Sequence, residues 1–164
     1  MKHLTLLRHA KSSWRDPDLD DFDRPLNKRG RQNAPFMGRR LAVLGEAPEV
    51  IISSPANRAR RTTELVASAL HYKKSAIKLE PRIYDAGVET LIKLVNQLDD
   101  AWQRVMLVGH NPGLTDLAKA LTHCDLDNIV TCGVVKIEFD AISWSNIQCN
   151  SGRLLFYDYP KKKH

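Results

Sequence analysis

The sequence predicts an α/β protein, a three-layer α/β/α sandwich with a mostly parallel central sheet. Apolar segments at about residues 3–8, 50–53 and 104–109 are typical of buried strands, and segments with helical spacing separate them. Strands that alternate with helices form βαβ units, in which the strands are parallel. Because the chain has only 164 residues and no interdomain linker is evident, we expect a single domain over residues 1–164.

The segment after the first strand is predicted to be a long, ordered loop. Residues 11–25 contain five aspartates, two prolines and no sustained periodicity. Loops of this length are usually functional or disordered. Trp14 and Phe22 favour an ordered loop, because they can pack against the protein surface. We expect this loop to lie over the mouth of a site at the end of the first strand.

A helix is predicted from about residue 28 to residue 44. Asn27 is a suitable N-cap, and Gly45 is a suitable residue to end the helix. Pro35 lies within this segment and has no backbone N–H. We therefore expect the helix to kink or restart at Pro35.

The remaining elements follow from the spacing of apolar residues. Arg58 falls in the first turn of the second predicted helix, and Asn111-Pro112-Gly113 leads into the last one. The two C-terminal strands are expected near the sheet edge or antiparallel. The expected elements are a helix that opens within residues 53–62 and ends near 70, a strand at 77–79, a helix at 89–102, a strand at 104–109, a helix that reaches about 121, and strands at 134–139 and 154–157.

Composition and charge argue against several functional classes. The formal charge of +6 favours anionic partners, but Lys161, Lys162 and Lys163 supply half of it, in a tail at about 161–164 that we expect to be disordered. The other basic residues lack the interleaved aromatic residues of a nucleic-acid-binding face, so we expect no nucleic-acid partner. No apolar run approaches the roughly 18 residues of a membrane span, and no signal peptide is evident. We therefore expect a cytoplasmic protein with no membrane partner.

The cysteines and most of the histidines show no sign of chemistry. Cys124, Cys132 and Cys149 lack metal-type spacing, and an odd number argues against a disulfide framework. His123 and Cys124 are adjacent but have no second pair of ligands nearby in the sequence. We therefore expect buried free thiols.

Two predicted strands end in a histidine. Arg8 and His9 lie at the end of the first strand, and His110 lies at the end of the strand at 104–109. The carboxyl ends of parallel strands share one rim of a sheet, where α/β proteins bind ligands. Arg58 adds a second guanidinium at a helix N-terminus, which already favours an anion. This set of residues suits phosphoryl transfer: the arginines bind phosphate, one histidine attacks phosphorus and the other is protonated beside the phosphate.

Four segments of the sequence resemble those of the histidine phosphatase superfamily, which has the phosphoglycerate-mutase-like fold. The similarity is greatest to the SixA-like phosphohistidine phosphatases. The segments, in family order, are residues 7–14 (LRHAKSSW), 24–30 (RPLNKRG), 53–59 (SSPANRA) and 108–113 (VGHNPG). The resemblance implies neither a metal nor an organic cofactor.

The resemblance also assigns roles to the candidate residues. It implies that His9 is the nucleophile, that Arg8 and Arg58 bind phosphate, and that His110 completes the pocket. Ser12 and Asn111 lie in the same segments, and they are further candidates for substrate binding.

The sequence departs from the superfamily pattern at Ala10, where a glycine usually follows Arg-His. A methyl group is tolerated there only if the φ angle is negative. We therefore predict ordinary backbone angles at Ala10.

A second departure concerns the proton donor. The mutase-like branch has a glutamate between the third and fourth of these motifs, which contain Arg58 and His110, and this glutamate protonates the leaving group. Glu80, Asp85 and Glu89 lie in this region, but the pattern around them does not match. The aspartates of the 16–23 loop are alternatives, with Asp18 and Asp21 favoured.

The missing glutamate favours a substrate whose leaving group needs little help. A sugar or serine alkoxide benefits from a positioned acid, whereas imidazole, with a pKa near ~6.5, leaves after easy protonation. We therefore predict a phosphatase for phosphohistidine, or for a related phosphoprotein monoester or phosphoramidate, with a phosphohistidine enzyme intermediate. The alternatives are a phosphatase of small phosphometabolites and a phosphate-binding module without catalysis.

Overall fold

The computed structural model describes residues 1–163, and the predicted α/β fold is confirmed. Over this range the chain forms six strands and four α-helices, with short 3-10 turns between some of them. The strands are β1 (Lys2–Arg8), β2 (Val50–Ser53), β3 (Lys78–Leu79), β4 (Arg104–Gly109), β5 (Val134–Phe139) and β6 (Gly152–Asp158). The helices are α1 (Lys28–Val43), α2 (Asn57–Ala69), α3 (Val88–Asn96) and α4 (Gly113–Leu121).

All six described strands belong to one sheet, in the order β3-β2-β4-β1-β5-β6. The first four strands of this order are parallel to one another, while β5 and β6 pair antiparallel. The prediction of a mostly parallel sheet with antiparallel C-terminal strands is therefore confirmed. The parallel strands β2, β4 and β1 lie side by side at its centre, so their carboxyl ends form one rim.

Helices cover both faces of the sheet, because the central strands are apolar on both sides. Leu4 and Leu6 of β1 pack with α3 and α4, while Leu7 of the same strand packs with α1 and α2. The same alternation occurs in β4, where Leu107 and Val108 belong to opposite clusters. The result is the three-layer arrangement that the sequence predicted.

The ends of α1 are as predicted. The Asn27 side chain accepts a hydrogen bond from the Gly30 N–H at 2.8 Å, which is an N-cap. Gly45 has a φ of 72°, and Glu46 N–H donates to Leu41 O at 2.9 Å. These contacts satisfy the last carbonyl groups of the helix.

Of the two alternatives predicted at Pro35, the restart of α1 is wrong, because one helix runs through this residue, and the kink stays a prediction. Proline removes a single helical hydrogen bond, whereas Ala34, Met37 and Leu41 remain fully buried on the inner face of the helix. Tertiary packing therefore outweighs the local preference of proline.

The predicted helix at 89–102 is too long, since α3 ends at Asn96. The carboxylate of Asp99 accepts a hydrogen bond from the Ala101 N–H at 2.9 Å, which replaces the helical pattern with a turn. The carbonyl of Trp102 then accepts hydrogen bonds from Lys2 Nζ and from the Trp144 indole. These contacts with distant residues decide where the helix ends.

Other boundaries differ from the predictions by a few residues. The last strand begins at Gly152 rather than at residue 154, and the short strand at 77–79 is reduced to Lys78–Leu79, whereas the second helix begins at Asn57, within its predicted range. At the C-terminus, the described residues Lys161–Lys163 are exposed, and the Lys162 N–H donates to Tyr159 O. The disorder of the tail stays a prediction, and residue 164 lies outside the described residues.

In the part of the chain that the structure describes, no helix combines the length and the apolar composition needed to cross a membrane.

Candidate active site

The register of the sheet places the two histidines side by side. Arg8 of β1 is the partner of Gly109 of β4, and the two strands are parallel. The next residues, His9 and His110, therefore leave the sheet together, and the His9 N–H donates to Gly109 O at 3.0 Å. Their ring centroids are 5.2 Å apart. Parallel pairing alone thus brings together two residues that are far apart in the sequence.

A hydrogen-bonded threonine connects the second arginine to this rim. Thr62 Oγ1 accepts from the Ala10 N–H at 2.9 Å and donates to Arg58 O at 2.7 Å. The first turn of α2 is thereby fixed against the residue that follows His9. Ala10 has no positive φ and is fully buried, so the prediction of ordinary backbone angles there is confirmed.

The four predicted residues converge on one cleft of about 500 Å³. A smaller cavity of about 220 Å³ adjoins it and is lined also by Tyr84 and Asp85. The residues that line the larger cleft are Arg8, His9, Lys11, Ser12, Trp14, Asp21, Arg24, Asn27, Arg58, His110, Asn111 and Thr131.

His9 is oriented as a neutral nucleophile. Its Nδ1 lies 2.8 Å from Ala10 O, and because a carbonyl oxygen can only accept, Nδ1 carries the proton. Nε2 then holds the lone pair, and it has no hydrogen-bond partner among the described residues. Burial, with the nearby cationic groups as smaller causes, lowers the pKa of His9 to about 3, although the hydrogen bond with Ala10 O acts in the opposite direction. The imidazole is therefore uncharged at neutral pH.

His110 lies against Ser54, with its Nε2 2.7 Å from Ser54 Oγ. Burial, with the charge of Arg58 as the next cause, lowers the pKa of His110 to about 4. The ring is therefore neutral in this structure, whereas the sequence analysis expected it protonated beside a phosphate. A bound dianion would raise this pKa, because an opposite charge favours the charged form.

The two guanidinium groups are held from different sides of the cleft. Arg8 donates to Ile129 O at 3.0 Å, and Arg58 donates to the backbone and carboxylate of Asp21 at 2.6 and 3.0 Å. The Nε atoms of both arginines are buried without a hydrogen-bond partner. Burying such donors is unfavourable. An oxyanion in the cleft offsets this cost, because its charge stabilises both guanidinium groups.

Asp21 brings the long loop over the cleft, as predicted. Its carboxylate accepts from Tyr84 Oη at 2.7 Å, from Arg58 and from Arg24. The hydrogen bond from Tyr84, followed by those from the arginines, lowers the pKa of Asp21 to about 2. Asp21 is therefore ionised at neutral pH in this arrangement and has no proton to donate.

The other candidates differ in their placement. Asp18 is exposed and does not line the cleft, and its N–H donates to Asp16 Oδ1 within a local turn. Ser12 lines the cleft. Asn111 also lines it, but its amide group donates to Asn128 and Ile129 and accepts from Thr115. The Asn111 side chain therefore positions the neighbouring loop rather than presenting free groups to a ligand.

Sequence reasoning missed the contacts of Tyr84 and the roles of Ser54 and Thr62. The Tyr84 ring packs edge-on against His110 at 5.5 Å between centroids, and its hydroxyl holds Asp21. Nothing in the local sequence distinguishes this tyrosine from an ordinary surface residue. Ser54 could have been found, since it directly follows a strand that ends on the same rim.

The buried neutral histidines predict that the protein loses stability in acid. Their folded-state pKa values of about 3 and about 4 lie below 6.5, so below pH 6.5 the unfolded chain binds protons that the folded chain does not. Above pH 6.5 the histidines therefore take nothing from the free energy of unfolding. As the pH decreases towards 4, this free energy falls by at most about 1.4 kcal/mol per pH unit for each histidine. Urea unfolding between pH 7.5 and 4.5 measures this slope. A double variant, His9→Gln with His110→Gln, should show a shallower slope, and an unchanged slope would contradict the assignment.

Comparison with solved structures identifies the class of fold. A candidate phosphohistidine phosphatase SixA from Agrobacterium tumefaciens matches with a TM-score of 0.83 and 30% identity, over 97% of this chain and 98% of that one. A mycobacterial glucosyl-3-phosphoglycerate phosphatase in complex with VO3 matches with a TM-score of 0.75 and 16% identity, over 97% and 100% of the two chains. The second likeness concerns the fold alone.

The sequence comparisons identify the family. The model of the histidine phosphatase superfamily (branch 1) matches residues 4–89. An uncharacterized chloroplastic protein of Arabidopsis thaliana is 30% identical over 159 residues, which is 92% of this chain and 72% of the relative. The chain belongs to the histidine phosphatase superfamily and is SixA-like. This membership supports a phosphatase that acts on a phosphorylated substrate.

Proposed function

We propose that this protein hydrolyses phosphohistidine, or a related phosphoprotein monoester or phosphoramidate, through a phosphohistidine intermediate on His9. The observation that carries the proposal is the state of His9: it is neutral, its Nδ1 proton is held by Ala10 O, and its Nε2 is unpartnered in a cleft with two arginines. A neutral imidazole with a fixed tautomer is a competent nucleophile towards phosphorus.

The proposed reaction has two displacements. In the first, Arg8 and Arg58 bind the phosphoryl oxygens, His9 Nε2 attacks phosphorus, and the bond from phosphorus to the leaving nitrogen or oxygen breaks. The leaving group takes a proton from solvent. In the second, water attacks the phosphorus on His9, the bond from phosphorus to Nε2 breaks, and the attacking water loses a proton to solvent, which leaves inorganic phosphate and neutral His9. Every group that the mechanism uses is a side chain of this protein or water, so we propose that no metal takes part.

The absence of a proton from Asp21 supports a substrate with a good leaving group. Its carboxylate lies against Arg58 and is ionised, so it does not resemble a general acid in this arrangement. Imidazole is basic enough to leave once solvent protonates it, whereas an alkoxide needs an acid worth about 10²–10⁴-fold in rate. The likeness to the Agrobacterium structure supports the same class of substrate.

A second candidate function is hydrolysis of a small phosphometabolite. Asp85 favours this candidate, because it lines the smaller cavity beside His110 and is exposed. From that position an aspartic acid would have access to an alkoxide leaving group. The fold that the chain shares with the mycobacterial phosphatase is compatible with it.

Free thiols support a reducing compartment for this activity, and we propose the cytoplasm. Cys124, Cys132 and Cys149 are all unpaired, as is usual in reducing compartments.

Comparing substrates under identical conditions tests the proposal. We expect kcat/KM for a phosphohistidine peptide to exceed that for a panel of phosphosugars by at least about tenfold, because only the alkoxide needs an acid. Release of inorganic phosphate measures both. Preference for a phosphosugar would favour the second candidate. Tight binding of phosphate without turnover of any substrate would instead indicate a binding module.

A further inference from the structure

Another cavity of about 220 Å³, distinct from the one beside Tyr84 and Asp85, adjoins the catalytic cleft and is basic. Lys11 and Thr131 line both the cleft and this cavity, so the two are continuous. Arg29 and Lys161 complete its basic wall, and none of the residues that line it is acidic. The remaining lining residues are Asn33, Val130, Tyr159 and Pro160.

A close backbone approach forms one wall of this basic cavity. A Cβ atom at Gly30 would lie 2.2 Å from Lys11 O, so the first turn of α1 packs directly on the Lys11 backbone. The Asn27 N–H donates to the same oxygen at 2.9 Å. Arg29 and Asn33 lie one helical turn apart on α1 and are thereby placed beside the Lys11 side chain.

The opposite wall is fixed by the end of β6. Arg40 of α1 donates to Asp158 Oδ1 at 2.9 Å and to Tyr159 O at 3.0 Å. These contacts tie the C-terminal strand to α1, and Lys162 Nζ donates to Tyr157 O at 2.5 Å. These contacts hold the backbone on both sides of Lys161 in place, so Lys161 lies at the cavity.

The three cations of this cavity are unpaired among the described residues. Lys11, Arg29 and Lys161 form no hydrogen bond or ion pair through their side chains, whereas Arg60 and Arg61 of α2 both pair with Glu64. Cations of one sign in a concave site concentrate their field and attract an anion. The scissile phosphate already has Arg8 and Arg58, so this cavity is suited to a second anionic group.

The surroundings favour an anion carried by a protein. Arg29 also lines a groove of about 610 Å³ with Arg15, Lys28 and Arg31. The basic surface thus continues from the cleft across the basic cavity and along α1, beyond the residues that surround the scissile phosphate. Val130 and Pro160 add an apolar wall that suits the methylene groups of an acidic side chain.

We propose that the cavity formed by Lys11, Arg29 and Lys161 binds an acidic side chain that lies near the phosphorylated residue of a protein substrate. This inference rests on the proposed function, because it assumes that the cleft takes a phosphorylated residue of a protein. It adds a specificity determinant outside the catalytic cleft.

Two phosphohistidine peptides that differ only in flanking residues, glutamate in one and glutamine in the other, test the proposal. We expect wild type to prefer the acidic peptide by roughly tenfold in kcat/KM, mainly through KM, since two or three partly exposed ion pairs contribute modestly each. The double variant Arg29→Gln with Lys161→Gln should lose most of this preference. Lys11 is left unchanged, because it also lines the catalytic cleft.

A matched control removes the same charge elsewhere. Lys93 and Lys119 are exposed on α3 and α4 and line neither cavity. The double variant Lys93→Gln with Lys119→Gln should retain the wild-type preference. If it lost the preference to the same extent, net charge rather than the basic cavity would explain the result.

Besides that result with the control variant, three further outcomes overturn the inference. They are equal turnover of both peptides by wild type, an unchanged preference in the Arg29→Gln, Lys161→Gln variant, and a charge preference seen only with free phosphosugars that carry a second phosphate. If neither peptide is hydrolysed, the proposed function fails. In that case the basic cavity is tested by binding instead. The dissociation constants of the acidic and the neutral peptide, measured by titration in both double variants, should show the same difference in preference.

Discussion

Replacing His9 by alanine is expected to lower the turnover of a generic aryl phosphate by roughly 10⁴-fold or more, to near background. Removing the imidazole removes the nitrogen that we propose attacks phosphorus, whereas His110 Nε2 is engaged by Ser54. Arg8 and Arg58 remain, so the variant should still bind a phosphate analogue such as tungstate. Steady-state rates, together with a tungstate titration, measure the two effects separately.

His123 provides a matched control for this substitution. It is exposed and does not line the cleft, so His123→Ala should retain the wild-type rate. A thermal unfolding profile of His9→Ala shows that the variant is folded. Substantial residual turnover by the folded variant would exclude His9 as the nucleophile.

Replacing Arg58 by alanine is expected to lower the rate by about 10²–10³-fold, by analogy with loss of one transition-state donor. Arg58 is almost fully buried, and two of its nitrogens donate to Asp21. The substitution removes the proposed phosphate ligand and also the hydrogen bonds that join α2 to Asp21 of the long loop. Rates with the aryl phosphate and the inhibition constant of inorganic phosphate measure both consequences.

Arg61 is the control on the same helix, because it is half-exposed and pairs with Glu64 at 3.4 Å. Arg61→Ala should therefore change the rate little. Arg58→Lys should recover only part of the loss, because lysine keeps the charge but lacks the planar pair of donors. An Arg58→Ala variant with the wild-type rate would remove this residue from the site.

The rim of the sheet could be predicted because its causes are local and simple. Apolar runs such as those of β1 and β4 form buried strands, and parallel strands end on one side. That geometry directly predicts the shared position of Arg8, His9 and His110 at one rim of the sheet. Arg58 required only the inference that a helix begins close to its position.

The contacts that tune the site could not be predicted, since they join residues from distant segments. Tyr84 meets Asp21 across 63 positions of sequence, and this pairing ionises a residue that the sequence suggested as an acid. The sequence shows which residues are charged, but it does not show which residues they contact in the folded protein. Asn111 illustrates the same point. Its amide group donates to Asn128 and Ile129 and is therefore not free to bind a substrate, and the residue type alone does not show this.

Local rules failed where packing or distant hydrogen bonds outweighed them. Pro35 did not end α1, because the helix is held by its buried face against α2. The helix α3 stopped six residues before the predicted end at Trp102, whose carbonyl serves Lys2 and Trp144 instead.

Trapping the phosphorylated enzyme tests the central claim most directly. A radiolabelled phosphosubstrate, mixed rapidly with the protein and quenched in base, should leave a label that is stable to base and labile to acid. Peptide mapping should place it on His9, and the His9→Ala variant should carry none. A covalent label on any other residue, or turnover without a covalent label, would contradict the account.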